Sequence, residues 1–224
     1  MERYLRARPE DSQADKLIKK YQKDPAAVSE MIMKQASDLL GDGETEGMLS
    51  RSKQAVSAIY AQMAAELSRF LSDLPVRQSI FRGGEDSKQA YRLLCGLVDR
   101  LEALRVELRA EDRMLFLCRE RLNERLDAQT KLLGQVELLL QTCSEERLTN
   151  LHERLAAAER STRETVAWVY ACGKDAERVD RVWIGGFFEE AMKKSDAAHG
   201  GVGCDCTALS VLAARTRSEI ERLI

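Results

Sequence analysis

The chain has 224 residues, enough to bury a substantial core as one large domain or two small ones. Charged residues make up 32%, aromatics only 5%, and three prolines are present, a balance that suits long amphipathic helices and suits β-sheet poorly. With 35 basic against 37 acidic side chains the formal charge is −2, so no overall basic excess is available for non-specific phosphate neutralisation, and nucleic acid is not expected as a partner.

The N-terminal stretch of residues 1–23 holds seven basic and four acidic side chains around a short amphipathic pattern, Ala14, Leu17, Ile18 and Tyr21. It reads as a packing helix with a solvated basic face, or as an arm that touches a partner or a membrane surface. It lacks the apolar core of a secretory signal, and the longest apolar run, residues 166–172, is far too short to span a bilayer. An intracellular, cytoplasmic protein is expected. Six cysteines, Cys95, Cys118, Cys143, Cys172, Cys204 and Cys206, then read as reduced thiols serving as small apolar groups.

Asp24 followed by Pro25 starts a helix, with Asp as N-cap and Pro at the first helical position. Val28, Ile32, Ala36 and Leu39 mark one face until Gly41 and Gly43 stop it. A second helix spans about residues 44–72 on the stripe Val56, Ile59, Met63, Leu67, Phe70 and Leu74, closed by Pro75. In the connection that follows, Ile80 and Phe81 are apolar and are expected to be pinned to the bundle.

The dominant signal lies in residues 86–142. One series runs Leu94, Leu101, Leu108, Leu115, Leu122, Gln129, Val136, and the other Leu97, Leu104, Glu111, Cys118, Arg125, Leu132, Leu139. Eleven of the fourteen positions are apolar at a strict 3–4 spacing, the sequence form of one long helix with a narrow seam. At 1.5 Å per residue such a helix runs roughly 85 Å. Leu94, Leu97, Leu101, Leu104, Leu108, Leu115 and Leu122 are the candidate interaction seam. The polar members Glu111, Arg125 and Gln129 mark either a register-setting contact or a place where the seam drifts to solvent, and drift is the simpler reading because Leu126, Leu132 and Leu133 offer a shifted face. A kink or partner contact is expected between Glu111 and Gln129.

Ser144, with Glu145 and Glu146 behind it, restarts a helix after a short break, so the next helix should return antiparallel on Leu148, Leu151, Leu155, Ala158, Thr162, Val166, Val169 and Tyr170. Val179, Val182, Trp183, Phe187, Ala191 and Met192 continue the pattern past Gly185 and Gly186, which mark a kink or a close crossing. A last helix from about Thr207 carries Leu209, Leu212, Thr216, Ile220 and Leu223, packing on the bundle or on a partner. The expected fold is all-α: an elongated antiparallel helical bundle organised as an arm (1–43), a three-long-helix bundle (44–198) and a C-terminal loop and helix (199–224).

Chemistry-bearing clusters are sparse. His199, Cys204 and Cys206 in a glycine loop are the one group with metal-ligand residue types, with Cys172 or Asp205 as a fourth donor, but the spacing departs from the usual Cys-x-x-Cys pair. The acids Asp99, Glu102, Glu107, Glu111 and Asp112 lack the Glu-x-x-His of a di-metal bundle and interleave with arginines as a solvated face. His152 reads as a boundary residue of the helical hairpin. No nucleophile motif or phosphate loop is present in context. No cofactor or enzymatic activity is expected. The reading that follows is a non-enzymatic scaffold or adaptor working through protein partners, as a homo-oligomer or within a larger complex. Three long helices with short joints are similar in outline to the BAR-domain architecture, which would imply a membrane-curving module bound through residues 1–23. A helical-bundle metalloprotein or enzyme is the third reading.

Overall fold

A computed structural model describes residues 9–41, 43–75, 83–199 and 205–224; the side chains of residues 9–12, 83–84 and 196–199 fall outside the description. Among the described residues the chain is helical throughout and contains no strand. The order is α1 (Pro9–Lys23), α2 (Pro25–Leu40), α3 (Gly43–Asp73), α4 (Gly83–Leu140), α5 (Glu146–Glu177), a π-helical segment (Arg178–Gly185), α6 (Gly186–His199) and α7 (Cys206–Glu221). It is an all-α bundle with one helix of 58 residues. Ile80 and Phe81 lie outside the described residues.

Local chemistry accounts for the helix ends. The Asp24 carboxylate accepts from the Ala27 amide at 3.1 Å, with Pro25 in the first turn of α2. Asp205 caps α7 by accepting from the amides of Thr207 and Ala208 at 2.9 and 3.2 Å. At the hairpin the start of α5 differs by one residue from expectation: the helix begins at Glu146, and the Glu145 carbonyl takes the amides of Leu148 and Thr149. Ser144 is therefore not the cap, because the Glu145 backbone closes the first turn and its side chain is engaged elsewhere.

Packing divides the chain into two compact units that are not consecutive stretches. The first combines Met1–Gly47 with Cys118–Val169. Its core joins Tyr21 of α1 and Val28, Ile32 and Ala36 of α2 to Leu132, Val136 and Leu139 of α4 and Leu148, Leu151 and Leu155 of α5. Helices α1 and α2 thus contribute to the core of this unit, as a packing helix would. Here α4 and α5 run antiparallel, since His152 meets Glu137 at 3.2 Å and Thr130 meets Glu159 at 3.4 Å, the later residue of one helix facing the earlier of the other.

The second unit combines Met48–Leu117 with Tyr170–Ile224. Every residue of the α3 stripe from Val56 to Leu74 is buried, and Met63 and Leu67 completely so. Arg100 of α4 reaches Glu66 of α3 at 2.5 Å, and Arg217 of α7 approaches the Ser68 hydroxyl at 3.5 Å. Leu209, Leu212, Ala213, Thr216 and Ile220 of α7 are buried within the chain itself.

Twelve of the fourteen seam positions of α4 are buried, and only Glu111 and Arg125 are half-buried. Helical hydrogen bonding is continuous through residues 111–129, and Leu115, Cys118, Leu122 and Gln129 are buried in the seam's own register rather than on a shifted face. Gln129 is fully buried. Its Nε2 donates to the Leu39 carbonyl at 2.9 Å, and Arg125 Nε donates to the same oxygen at 3.2 Å. Two polar seam residues thus satisfy an orphan carbonyl at the end of α2, the group that a helix C-terminus leaves unpaired. Pairing of Nε2 removes part of the cost of burying the amide; the Gln129 Oε1 is buried without a hydrogen-bond partner.

These burial patterns separate two classes of leucine-type position on α4. Leu97→Ala is expected to destabilise the protein by about 3 kcal/mol, because Leu97 is fully buried. Val106→Ala, on the solvent face, is expected to change stability by less than about 0.5 kcal/mol. Urea unfolding followed by both circular dichroism and tryptophan fluorescence measures the two.

Candidate functional site

The seven leucines of the candidate seam, Leu94, Leu97, Leu101, Leu104, Leu108, Leu115 and Leu122, are all buried by the chain's own helices and present no surface to a partner. The opposite face of α4 is a different matter. Ala103, Val106, Ala110, Met114 and Leu117 are all exposed, Val106 at 59% and Leu117 at 49%. At 3.6 residues per turn they fall within an arc of about 80°, centred on Ala110 and directed away from the seam. Glu107 and Arg113, both exposed, flank the strip on its two sides. An apolar strip four turns long, edged by charge, is the candidate interaction surface. Sequence reading passed over it because α4 was assigned one apolar face, and the alanines in the strip carry little periodic signal.

The expected stripe beyond α5 holds at Val179, Phe187 and Ala191, which are buried, and is shifted elsewhere by the π-helical segment. A π turn takes in about one residue more than an α turn, so over eight residues the inward face lags behind the α pattern. Val179, Asp180 and Ile184 face inward, whereas Val182 and Met192, both expected inside, are exposed at 62% and 47%. Gly185 lets the wide turn close, since a Cβ there would lie 3.3 Å from the Asp180 carbonyl oxygen.

Asp180 is the buried anion of this unit. Arg105 Nε donates to its Oδ1 at 2.7 Å and Arg109 Nε to its Oδ2 at 3.2 Å, both from successive turns of α4. Arg105 also pairs with Glu102 at 2.7 Å and stacks its guanidinium over the Phe188 ring at 5.6 Å. Burial works to raise the Asp180 pKa, but the hydrogen bonds and charges of Arg105 and Arg109 outweigh it and hold the carboxyl below its ordinary range. The arrangement pins the π segment to α4, and both oxygens of the carboxylate are already occupied.

Elsewhere the titratable groups are arranged for packing. Burial pushes the Cys118 thiol up against the opposing charge of Arg121. It also pushes Cys172 up, helped by Asp175 and opposed by Lys53. Both are neutral thiols near neutral pH rather than nucleophilic thiolates. Burial, with Asp175, Cys172 and Asp112, likewise raises the Tyr60 phenol. In the first unit the Tyr21 and Ser29 hydroxyls both donate to Glu145 Oε2 at 3.0 Å. That knot closes the end of a groove of about 700 Å³ between α2 and α5, whose polar wall includes Glu30, Arg147 and Arg154. Acid and base are balanced along it, and its one hydroxyl side chain, Ser29, is engaged with Glu145.

Of the candidate metal ligands, the side chain of His199 and the whole of Cys204 lie outside the described residues. Cys206 is half-buried in the first turn of α7, with its thiol 3.7 Å from the Asp86 carbonyl oxygen, and Asp205 is spent on the cap. Among the described residues no three histidine, cysteine or acidic side chains are grouped to hold a metal, and no helix is long and apolar enough to cross a membrane. The described cysteines are all free thiols. The chain matches no family model, and no curated protein or solved structure is significantly similar to it.

The Asp180 lock makes stability depend on pH in a defined direction. A carboxyl whose folded pKa is depressed contributes stability above its unfolded pKa and loses it as pH falls through the folded value. Asp180→Asn is expected to cost about 2 kcal/mol at neutral pH, because two arginines lose their anion. That deficit should shrink steadily as pH falls below the ordinary carboxylate range. Unfolding midpoints of both proteins across the acid range measure it; a deficit independent of pH would assign the loss to packing.

Proposed function

We propose that the chain is a non-enzymatic helical scaffold or adaptor that engages a protein partner, within an oligomer or a larger complex, through the outer face of α4. The observation that carries this reading is the strip of Ala103, Val106, Ala110, Met114 and Leu117, left in solvent on a helix whose other face is fully used. Exposing a contiguous apolar strip is unfavourable for an isolated chain, and a helix face of this kind is a usual docking element. Alanine at its centre lets a second helix approach closely, with Val106, Met114 and Leu117 as the larger contacts around it. The neutral thiols and fully paired Asp180 support the same reading, since neither is poised for acid–base or nucleophilic work.

A photo-crosslinking residue at position 114 in the native cell tests the proposal against the same residue at position 131, a solvent-facing lysine of α4. A discrete adduct is expected at 114 and none at 131, and Leu117→Lys should abolish it while the unfolding midpoint is retained. Equal labelling at both positions, or an adduct indifferent to Leu117→Lys, would remove the strip from the account.

A further inference from the structure

On α1, Lys16, Lys19, Lys20 and Lys23 stand at positions i, i+3, i+4 and i+7 of one helix. At 3.6 residues per turn they share an arc of about 100° and a length of about 10 Å. All four are exposed. Lys20 Nζ lies 3.9 Å from the Met31 sulfur, and none of the four forms an ion pair with another described residue, including Asp15 at the edge of the ridge. Elsewhere several cations do pair with acids three or four residues away, as Arg105 does with Glu102, Arg181 with Glu177 and Arg217 with Glu221. On α1 the lysines are mostly one another's neighbours at those spacings, an arrangement that weakens a helix; Asp15, four residues before Lys19, and Asp24, four after Lys20 and spent on the α2 cap, are the exceptions. Lys20 and Lys23 fall in the last turn, where they suit the negative helix end; Lys16 and Lys19 have no such compensation.

The opposite face of α1 is already committed. Tyr21 is buried in the core of the first unit and donates to Glu145, and Leu17 packs against the same core. The ridge is therefore presented outward on a seated helix, and no apolar face of α1 is left to insert into anything.

We propose that the lysine ridge of α1 is an electrostatic docking surface for an anionic lipid bilayer, bound peripherally and without insertion. Three features favour lipid headgroups over other polyanions. Lysine acts as a hydrated point charge and suits a diffuse headgroup layer, whereas planar bidentate recognition of a defined phosphate or carboxylate calls for arginine, which the ridge lacks. Protein interfaces are depleted in lysine and are organised around aromatic or arginine anchors, also lacking here. Single-stranded nucleic acid needs aromatic platforms, and the only aromatic of α1, Tyr21, is buried. The proposal goes beyond the scaffold role and uses a different helix, so either can fail alone.

Co-sedimentation of the full chain with phosphatidylcholine vesicles, with and without phosphatidylserine, tests it. Binding is expected only with phosphatidylserine and should be lost at high salt. Lys16→Gln with Lys19→Gln should weaken it about 25-fold, at about fivefold per lysine; the pair leaves the two lysines at the helix end in place. Lys16→Arg with Lys19→Arg should retain binding, which separates lost charge from a lost fold. No binding to phosphatidylserine vesicles overturns the proposal. So does binding that survives the glutamine pair but is abolished by replacing Arg3, Arg6 and Arg8. Tighter binding to a single-stranded oligonucleotide or to polyglutamate than to the vesicles would equally overturn it.

Discussion

One helix supplies the interior of both compact units, and the rest of the chain is arranged by what that helix needs to bury. The apolar positions of α4 repeat every 3.5 residues from Leu94 to Leu139, and all of them are taken out of water by the chain itself. A seam so narrow leaves most of the helix circumference for other uses. Charged side chains on its flanks fix the neighbours, as Arg100 does for Glu66 on α3 and Arg105 and Arg109 do for Asp180. The hydrophobic seam provides the driving force, which is not directional, and the charge pairs beside it choose which element sits at which height.

The polar breaks in that seam show how a buried polar group can be compatible with stability. Gln129 lies deeper than most of the leucines around it, and it survives there because the end of α2 presents an unpaired carbonyl at the right height. The glutamine amide nitrogen and the helix-end carbonyl would each be costly unpaired, and they pair with each other, while the glutamine Oε1 stays buried without a partner. Asp180 follows the same logic with charge in place of a neutral amide. In both cases α4 meets an element whose backbone is irregular nearby: the end of α2 in one, the π segment in the other.

Much of the fold was legible because long helices repeat their signal. The α3 stripe, the return of α5 on Leu148, Leu151 and Leu155, and the α7 stripe all follow from spacing alone, and the cap at Asp24 follows from its place before Pro25; the cap at Asp205 was not read from the sequence. What escaped had a physical reason in each instance. The inward turn of Asp180 and Ile184 depends on a change from α to π winding, and a 3.6-residue template cannot register it. The role of Gln129 depends on a carbonyl ninety residues earlier in the chain, which no local pattern reveals. The division into two units depends on which segments close around each half of α4, and the continuous seam carries no mark of it. The exposed strip on α4 was overlooked because two of its five members are alanine, which is as common on solvated helix faces as on docking ones.

The surfaces left over by this packing differ in kind, and the difference bears on how each would be used. An apolar strip gains by excluding water, so it suits a partner of matching shape, and its contribution scarcely depends on salt. A lysine ridge gains by releasing counterions near an anionic layer, needs no shape match, and weakens as salt rises. The first selects among proteins; the second selects a location. The two surfaces therefore rest on different physics and on different helices, and the affinity of each is set independently of the other. That combination asks of the interior only that α1 and α4 stay rigid, and the Glu145 knot under α1 and the seam under α4 meet that requirement.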